Sequence, residues 1–399
     1  MKSRAALWAG AVLIIAVIGF VGGVYVDQAF PGYLPYVAQH SVGRVDTTEL
    51  QQAIQIIQAD YVDPKLDATK LAHGTVQGLI TSLGDPFSAY YDPTAFKRLQ
   101  DAYKGQYSGI GIYLTFGTGY PLITGTVPGS PAAAAGLQSG DQIQKVGDQD
   151  MKGITSDQAT TLIQGPTGTK VTLTIGRGGS TLTFNITRAE IRVPTVRSAL
   201  IDNNVLYVRI YSFAESTSKD FAAALTTGLP GGKGIVLDLR GNPGGFTTEA
   251  EGVISQFISS GETFEWRDRN GTVERRQVSG HPTAATLPLV VLVDANSASA
   301  SEIVAGSLQV HHRAKLVGTV TYGKGSVQQD FPLNDGADIH LTIKRWYLPN
   351  GVTIDHKGLQ PDVMVTLPNA GDGFDVTQLS LGYAKDTQLN AALGILAAP

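Results

Sequence analysis

The chain of 399 residues contains no cysteine. That absence excludes a cysteine nucleophile, a disulfide framework and thiolate metal sites together, and it leaves the redox compartment unreadable. An excess of either charge is also missing. Thirty Lys and Arg stand against 34 Asp and Glu, a formal net charge of −4, and no basic block occurs, so nucleic acid is not an expected partner. Histidine is scarce, and none of the seven falls in an H-x-x-x-H or H-x-x-E-H spacing, which removes the usual helical zinc-hydrolase pattern. No metal or organic cofactor is expected. Long apolar runs are absent too, with one exception.

The exception is residues 5–26, which carry no charge. At 1.5 Å per residue they span about 33 Å, close to the thickness of a bilayer core. Lys2 and Arg4 precede the run and Asp27 follows it, so the positive-inside rule places the N-terminus in the cytoplasm and the rest outside. A cleaved signal peptide is the rival, but the run is long for one and no convincing small-x-small site follows. The expectation is a single-pass cell-membrane protein with its catalytic domain extracytoplasmic: residues 5–26 as anchor, 27–45 as linker.

A hydrophobic fraction of 42% supports a substantial core, and the length suits two or three domains. Residues 46–97 read as helical. Leu50, Ala53, Ile54 and Ile57 form one stripe, and a second helix starts near Asp67 and stops at Gly84-Asp85-Pro86. Such a pair needs cover, from the catalytic core or from a second copy of the chain, so a homo-oligomer is an expectation. Residues 98–188 change to short β runs punctuated by Gly and Pro, with Gly109-Ile110-Gly111-Ile112 opening a strand that runs to Phe116. From 189 to 399 strands and helices alternate, which argues an α/β core. Runs such as Ile235-Val236-Leu237 suggest strands buried on both faces. Asn270-Gly271 marks a hairpin, and Asp386 to Ala398 a final helix.

Three stretches carry chemistry. In Ser297-Ala298-Ser299-Ala300-Ser301-Glu302 an apolar strand turns into a helix of small residues. Ser299 with Glu302 has the form of a capping box; the same geometry also places a hydroxyl at a helix N-terminus, with the next amide free to donate to an oxyanion. In Tyr322-Gly323-Lys324-Gly325-Ser326-Val327-Gln328 a lysine sits between glycines, and period two puts Lys324, Ser326 and Gln328 on one face. It is either a solvated surface residue or a base; the second requires its pKa to fall from about 10.4 towards 7–8, about 4 kcal/mol, by burial. Gly241-Asn242-Pro243-Gly244-Gly245 resembles the G-N-S-G-G turn of chymotrypsin-like proteases, but proline stands at the hydroxyl's place. It is a tight turn or a set of backbone amides brought close to a substrate. A Ser-His-Asp triad lacks any recognisable histidine motif.

Taken together, S-A-S-A-S-E-I at Ser297 to Ile303, Y-G-K-G-S-V-Q at Tyr322 to Gln328 and L-D-L-R-G-N-P-G-G at Leu237 to Gly245 resemble the carboxyl-terminal processing (tail-specific) proteases. The likeness extends to Leu83-Gly84-Asp85-Pro86-Phe87-Ser88 and to Gly358-Leu359-Gln360-Pro361-Asp362-Val363. It implies an α/β, ClpP/crotonase-like catalytic core with an inserted, mainly β PDZ domain. It implies Ser299 as nucleophile, Lys324 as general base and Gln328 as the residue that positions the lysine. The oxyanion hole would comprise the amides of Ala300 and of Gly245 or Gly244, Gly245 being favoured. The G-I-G-I run, with A-G-L-x-x-G-D-x-I beyond it, resembles a PDZ domain, in which the amides of Gly109, Ile110, Gly111 and Ile112 would capture a polypeptide's C-terminal carboxylate. The implied activity is a serine endopeptidase acting on C-terminal tails. The alternative is a non-catalytic, membrane-anchored PDZ scaffold.

Overall fold

The computed structural model describes residues 45–398, apart from residues 64, 128, 203, 281, 370–371, 375 and 377–381. The expected anchor, 5–26, and the linker that follows lie outside the described residues. Among the described residues no helix is long and apolar enough to cross a membrane. The chain divides into two compact units between Leu71 and Ala72. In the first, the helix Thr48–Asp60 has no buried residue, and Leu50, Ile54 and Ile57 are exposed.

The second unit is built on a six-stranded sheet in the order Val196–Ile201, Val205–Ile210, Gly234–Asp238, Leu289–Val293, Lys315–Gly318, Val363–Met364. The first pair is antiparallel and the others are parallel. Alternation along each strand feeds two cores. Leu289, Val291 and Val293 join Phe221, Val253, Ile303 and Leu308 on one face, while Val290 and Leu292 join Leu389, Ala392 and Leu393 of the C-terminal helix on the other. Each Val, Leu, Ile or Phe side chain among these contributes about 1.5–3 kcal/mol by leaving water, which is why the strands carry no polar alternation. The α/β alternation read from sequence is present.

A second, antiparallel sheet was not legible from periodicity. It joins Ala89–Tyr91, Asp338–Tyr347, Glu262–Asp268 and Val273–Gln277 in that order, with Ser326–Pro332 also paired to Asp338–Tyr347. The hairpin at Asn270-Gly271 is part of it; Gly271 takes φ 78°, which a glycine adopts without steric cost. The helix Pro93–Tyr103, capped by Asp92 with proline at its first position, leads into the β insert.

That insert is a separate sheet of Ile112–Thr115, Leu122–Thr126, Gln142–Val146, Lys170–Arg177 and Ser180–Thr187 around its own core of Ile123, Ile143, Leu173 and Ile175. One expectation needs correcting. The strand expected from Gly109 begins at Ile112, because Gln106–Gly109 pairs instead with Ala189–Arg192 in a two-stranded ribbon at the two ends of the insert.

Buried charge ties the C-terminal helix Thr387–Ala397 to the strand end at Asp238. Arg240 donates to Asp238, Asp386 and Gln388, and all four side chains are buried. Asp386 also caps the helix through Leu389 N–H and accepts from Phe374 N–H. Removing it strips a cap and leaves Arg240 with Asp238 as its remaining carboxylate. Asp386→Ala should therefore lower the unfolding free energy by about 3 kcal/mol, read from denaturant melts.

Candidate active site

Ser299 follows the buried strand Leu289–Val293 and stands at the N-cap of the helix Ala300–Val310, with φ 55° and ψ −115°. A non-glycine residue held there costs on the order of 1–3 kcal/mol, a strain that surroundings must over-determine. They do. Asn242 is fully buried; its carbonyl accepts from Ala298 N–H at 3.0 Å and from the Ser301 hydroxyl at 2.9 Å, and its Nδ2 donates to the Ile210 carbonyl. The Ser297 hydroxyl donates to the Leu239 carbonyl at 2.8 Å. Of the three serines in the run, Ser297 and Ser301 are buried and bonded into the scaffold, whereas Ser299 lines an open cleft of about 560 Å³.

Lys324, Ser326 and Gln328 line the same cleft, as do Gly244 and Gly245. The structure thus brings together every residue named for catalysis; Ala300 has its side chain buried at the first helical position, and its backbone N lies 3.0 Å from where a Cβ would stand on Gly244. The Gly244 N–H is bonded to Asn242 Oδ1 at 2.9 Å. Among the described residues neither the Gly245 nor the Ala300 N–H has a hydrogen-bond partner. Gly245 has φ 140°, and a Cβ there would lie 2.2 Å from the Phe213 carbonyl oxygen, so no side chain fits.

Lys324 is held by its backbone and tuned by its surroundings. Its N–H donates to Glu302 Oε2 and its carbonyl accepts from Trp346 Nε1, both at 2.9 Å. Its Nζ sits 5.1 Å from the centroid of the Phe87 ring. Burial lowers the amine's pKa below the ordinary lysine value, opposed by Asp85 and Glu302, whose negative charges favour the ammonium. Asp85 is fixed by Phe87 N–H and the Ser88 hydroxyl. The 83–88 motif thus supplies both the apolar wall and the counter-charge of Lys324, a role its sequence alone did not reveal. Gln328 follows a β-bulge whose extra residue, Ile343, lies on the partner strand, so Lys324, Ser326 and Gln328 keep to the cleft side; its Nε2 donates to Ser326 Oγ and Thr342 Oγ1.

Sequence reasoning took Glu302 only as a cap, and that half is present: Oε2 accepts from Ser299 N–H at 2.8 Å. The same carboxylate, fully buried, also accepts from Lys324 N–H, Gly323 N–H and the Thr321 hydroxyl. Burial raises its pKa and these hydrogen bonds pull the other way. Thr321 in turn accepts from Leu359 N–H, and a Cβ at Gly358 would lie 2.2 Å from the Thr321 carbonyl oxygen. The 358–363 motif therefore backs the lysine loop.

In the β insert, Tyr107, Ile110, Gly111, Ile112 and Ile163 line a groove of about 190 Å³. Gly111 has φ 81°, and a Cβ there would lie 2.3 Å from Ser130 Cβ. Its carbonyl accepts from Val127 N–H and the Ser130 hydroxyl, and that of Ile110 from Ala132 N–H. These bonds fix the turn's carbonyls. Burial pushes the Tyr107 phenol up to about 12, so the ring beside the turn stays neutral at ordinary pH.

The profile of Peptidase family S41 matches residues 204–365, that of the PDZ domain residues 100–176, and that of the activating protease CtpB N-terminal domain residues 36–95. The chain is 37% identical over 332 residues to the carboxy-terminal processing protease CtpA of Bacillus subtilis (strain 168), covering 82% of this chain and 71% of that protein. The chain belongs to the carboxy-terminal processing proteases. To CtpB of the same organism it is 33% identical over 399 residues, covering 98% of this chain and 82% of the relative. Among solved structures, a photosystem II D1 C-terminal processing protease aligns at 26% identity and a TM-score of 0.51, covering 80% of this chain and 88% of that one. This carboxy-terminal processing protease is thus a serine peptidase with the S41 protease fold and a PDZ domain, and the scaffold alternative is not favoured.

Glu302→Gln is a near-isosteric test of the junction. Either orientation of the amide sets its NH₂ against a backbone N–H: that of Gly323 on one side, or those of Ser299 and Lys324 on the other. The variant should lose about 1–3 kcal/mol of stability and at least about tenfold in kcat/KM, measured by denaturant melts and peptide cleavage.

Proposed function

We propose that Ser299 is the nucleophile and Lys324 the general base of an endopeptidase that processes proteins from their C-terminal tails. The observation that carries this reading is that the Ser297 and Ser301 hydroxyls are committed to backbone carbonyls, while Ser299 faces a cleft shared with a lysine whose pKa is lowered by burial. The neutral Lys324 amine takes the Ser299 proton as Oγ attacks the scissile carbonyl. The oxyanion accepts from the Ala300 and Gly245 N–H groups, and the unpartnered state of both supports Gly245 over Gly244. As the tetrahedral adduct collapses, the Lys324 ammonium returns its proton to the leaving amine. Water then attacks the acyl ester with Lys324 again as base. Gln328, its Nε2 held by Ser326 and Thr342, has its amide oxygen left to accept from the Lys324 amine and so position it.

The groove at Gly109 to Ile112 captures the tail, its turn amides receiving the terminal carboxylate. The core is of the ClpP/crotonase-like class, a reading supported by its parallel sheet with helices on both faces. The charge-free run 5–26 behind Lys2 and Arg4 supports a single-pass anchor with the catalytic domain outside the cytoplasm. The exposed apolar stripe of Thr48–Asp60 supports contact with a second copy.

Ser299→Ala and Lys324→Ala should each abolish turnover while leaving the fold and tail binding intact. Retained cleavage in Ser299→Ala would overturn the nucleophile. Because the deprotonated amine is the active form, kcat/KM should rise with pH through the lowered Lys324 pKa, with its limb below the ordinary lysine range. A limb that moves instead on His340→Gln would favour an imidazole base.

Amidating a substrate tail removes a charge-assisted interaction of about 1.5–3 kcal/mol. The amidated peptide should show KM raised about ten- to a hundredfold. Equal cleavage of free and amidated tails would contradict capture by the carboxylate.

A further inference from the structure

One corner of the catalytic cleft carries charge that the mechanism does not use. Asp330 and His340 line it, and His340 Nδ1 lies 2.5 Å from Asp330 Oδ1 with the carboxylate 27% and the imidazole 16% exposed. The register pairs Asp330 with His340 and Pro332 with Asp338, so strand alternation sets Asp338 on the same face, one step deeper. Asp338 is fully buried, with the Phe331 N–H as its donor, and among the described residues no side chain hydrogen-bonds to its carboxylate. A buried carboxylate left in that state is costly.

The remaining neighbours do not neutralise the corner. Tyr91 packs its ring 5.9 Å from that of His340, and Tyr103 lines the cleft above. Burial and then the charge of Asp330 raise both phenols, so these hydroxyls are neutral. Burial, followed by repulsion from Asp330, pushes Asp338 up to about 6, and His340 and a hydrogen bond from the Phe331 N–H oppose the shift. Two carboxylates share one imidazole. With both acids ionised the corner holds a net charge of −1 or −2, according to whether His340 is protonated.

We propose that this corner is a subsite for a basic side chain of the substrate polypeptide, Lys or Arg, with Asp330 as its direct partner and Asp338 as the charge behind it. The fit is chemical on both parts of such a side chain. The cationic head meets a carboxylate that a second carboxylate, without a side-chain hydrogen bond of its own, reinforces. The aliphatic stem meets Leu99 and Ala102, which line the same cleft. A neutral or acidic side chain in that place would leave the pair of acids uncompensated, and an acidic one would add repulsion. The inference rests on the peptidase reading of the cleft and adds to it a selection made beside the scissile bond, separate from capture of the tail.

The experiment is digestion of an unfolded protein by the intact enzyme, with the cut sites read by mass spectrometry. Peptides are then made that differ only by Lys or Nε-acetyl-lysine at the position where basic residues concentrate. The expected result is enrichment of Lys and Arg at one fixed distance from the cut bond, and a kcat/KM about tenfold or more in favour of Lys. Asp330→Asn should bring that ratio close to one. Asp338→Asn, which leaves the Asp330–His340 pair in place, should reduce it in part. Cutting with no positional preference for basic residues would overturn this inference alone, as would a ratio unchanged in Asp330→Asn. Absence of any cutting would overturn the peptidase reading and this inference with it.

Discussion

The Glu302 carboxylate is the constraint on which the site depends. One buried group accepts hydrogen bonds from Ser299, Thr321, Gly323 and Lys324. It therefore joins the helix that begins at Ser299, the proposed nucleophile, to the loop that carries Lys324, the proposed base. Two backbone segments with no shared strand are held together by this acceptor pair and by the Tyr322 N–H, which donates to the Ser297 carbonyl, and neither segment needs its own reactive side chain to do so. The carboxylate binds the main chains of Ser299 and Lys324 and takes up neither the hydroxyl nor the amine.

That division of labour explains the glycine pattern around the site. Gly323 and Gly358 sit where a Cβ would meet backbone at 2.8 Å and 2.2 Å, so the lysine loop and the Thr321 segment approach more closely than side chains permit. Gly245 does the same against Phe213. The close approach that excludes side chains also brings backbone amides to the cleft. Strain at Ser299 and desolvation at Lys324 are both unfavourable to folding, and the buried core beneath them, fully packed on both faces of the parallel sheet, offsets them.

The chemistry was legible in sequence where it is local. Ser297 to Glu302 and Tyr322 to Gln328 are contiguous runs, and unpatterned runs such as Ile235-Val236-Leu237 announced a sheet buried on both faces. What escaped was set by contacts between residues far apart in the chain. Asp85 read as part of a helix stop and Phe87 only as part of the 83–88 likeness, yet the antiparallel sheet carries both beside Lys324. Glu302 read as a cap because a capping box is satisfied within four residues, and its bonds to the lysine loop have no local signature. The strand start at Gly109 was misread because Gly109 extends a pairing with Ala189 that lies eighty residues on. The alternation from Ser326 to Gln328 survives the bulge at Val327, whose extra residue, Ile343, lies on the partner strand. Asp330 and His340 continue that strand pair, and the same alternation carried two residues past Gln328 reaches Asp330.

The central claim is that burial, winning over two nearby carboxylates, makes Lys324 a neutral base. The most direct measurement is the titration of its side-chain amine by NMR in protein with isotope-labelled lysine, the Lys324 signal being assigned by its loss in Lys324→Arg. The account requires a titration displaced below the ordinary lysine value and coincident with the rising limb of kcat/KM. A Lys324 amine that titrates at or above the ordinary lysine value would contradict it, because Asp85 and Glu302 would then outweigh desolvation and the amine would stay charged through the working range of pH.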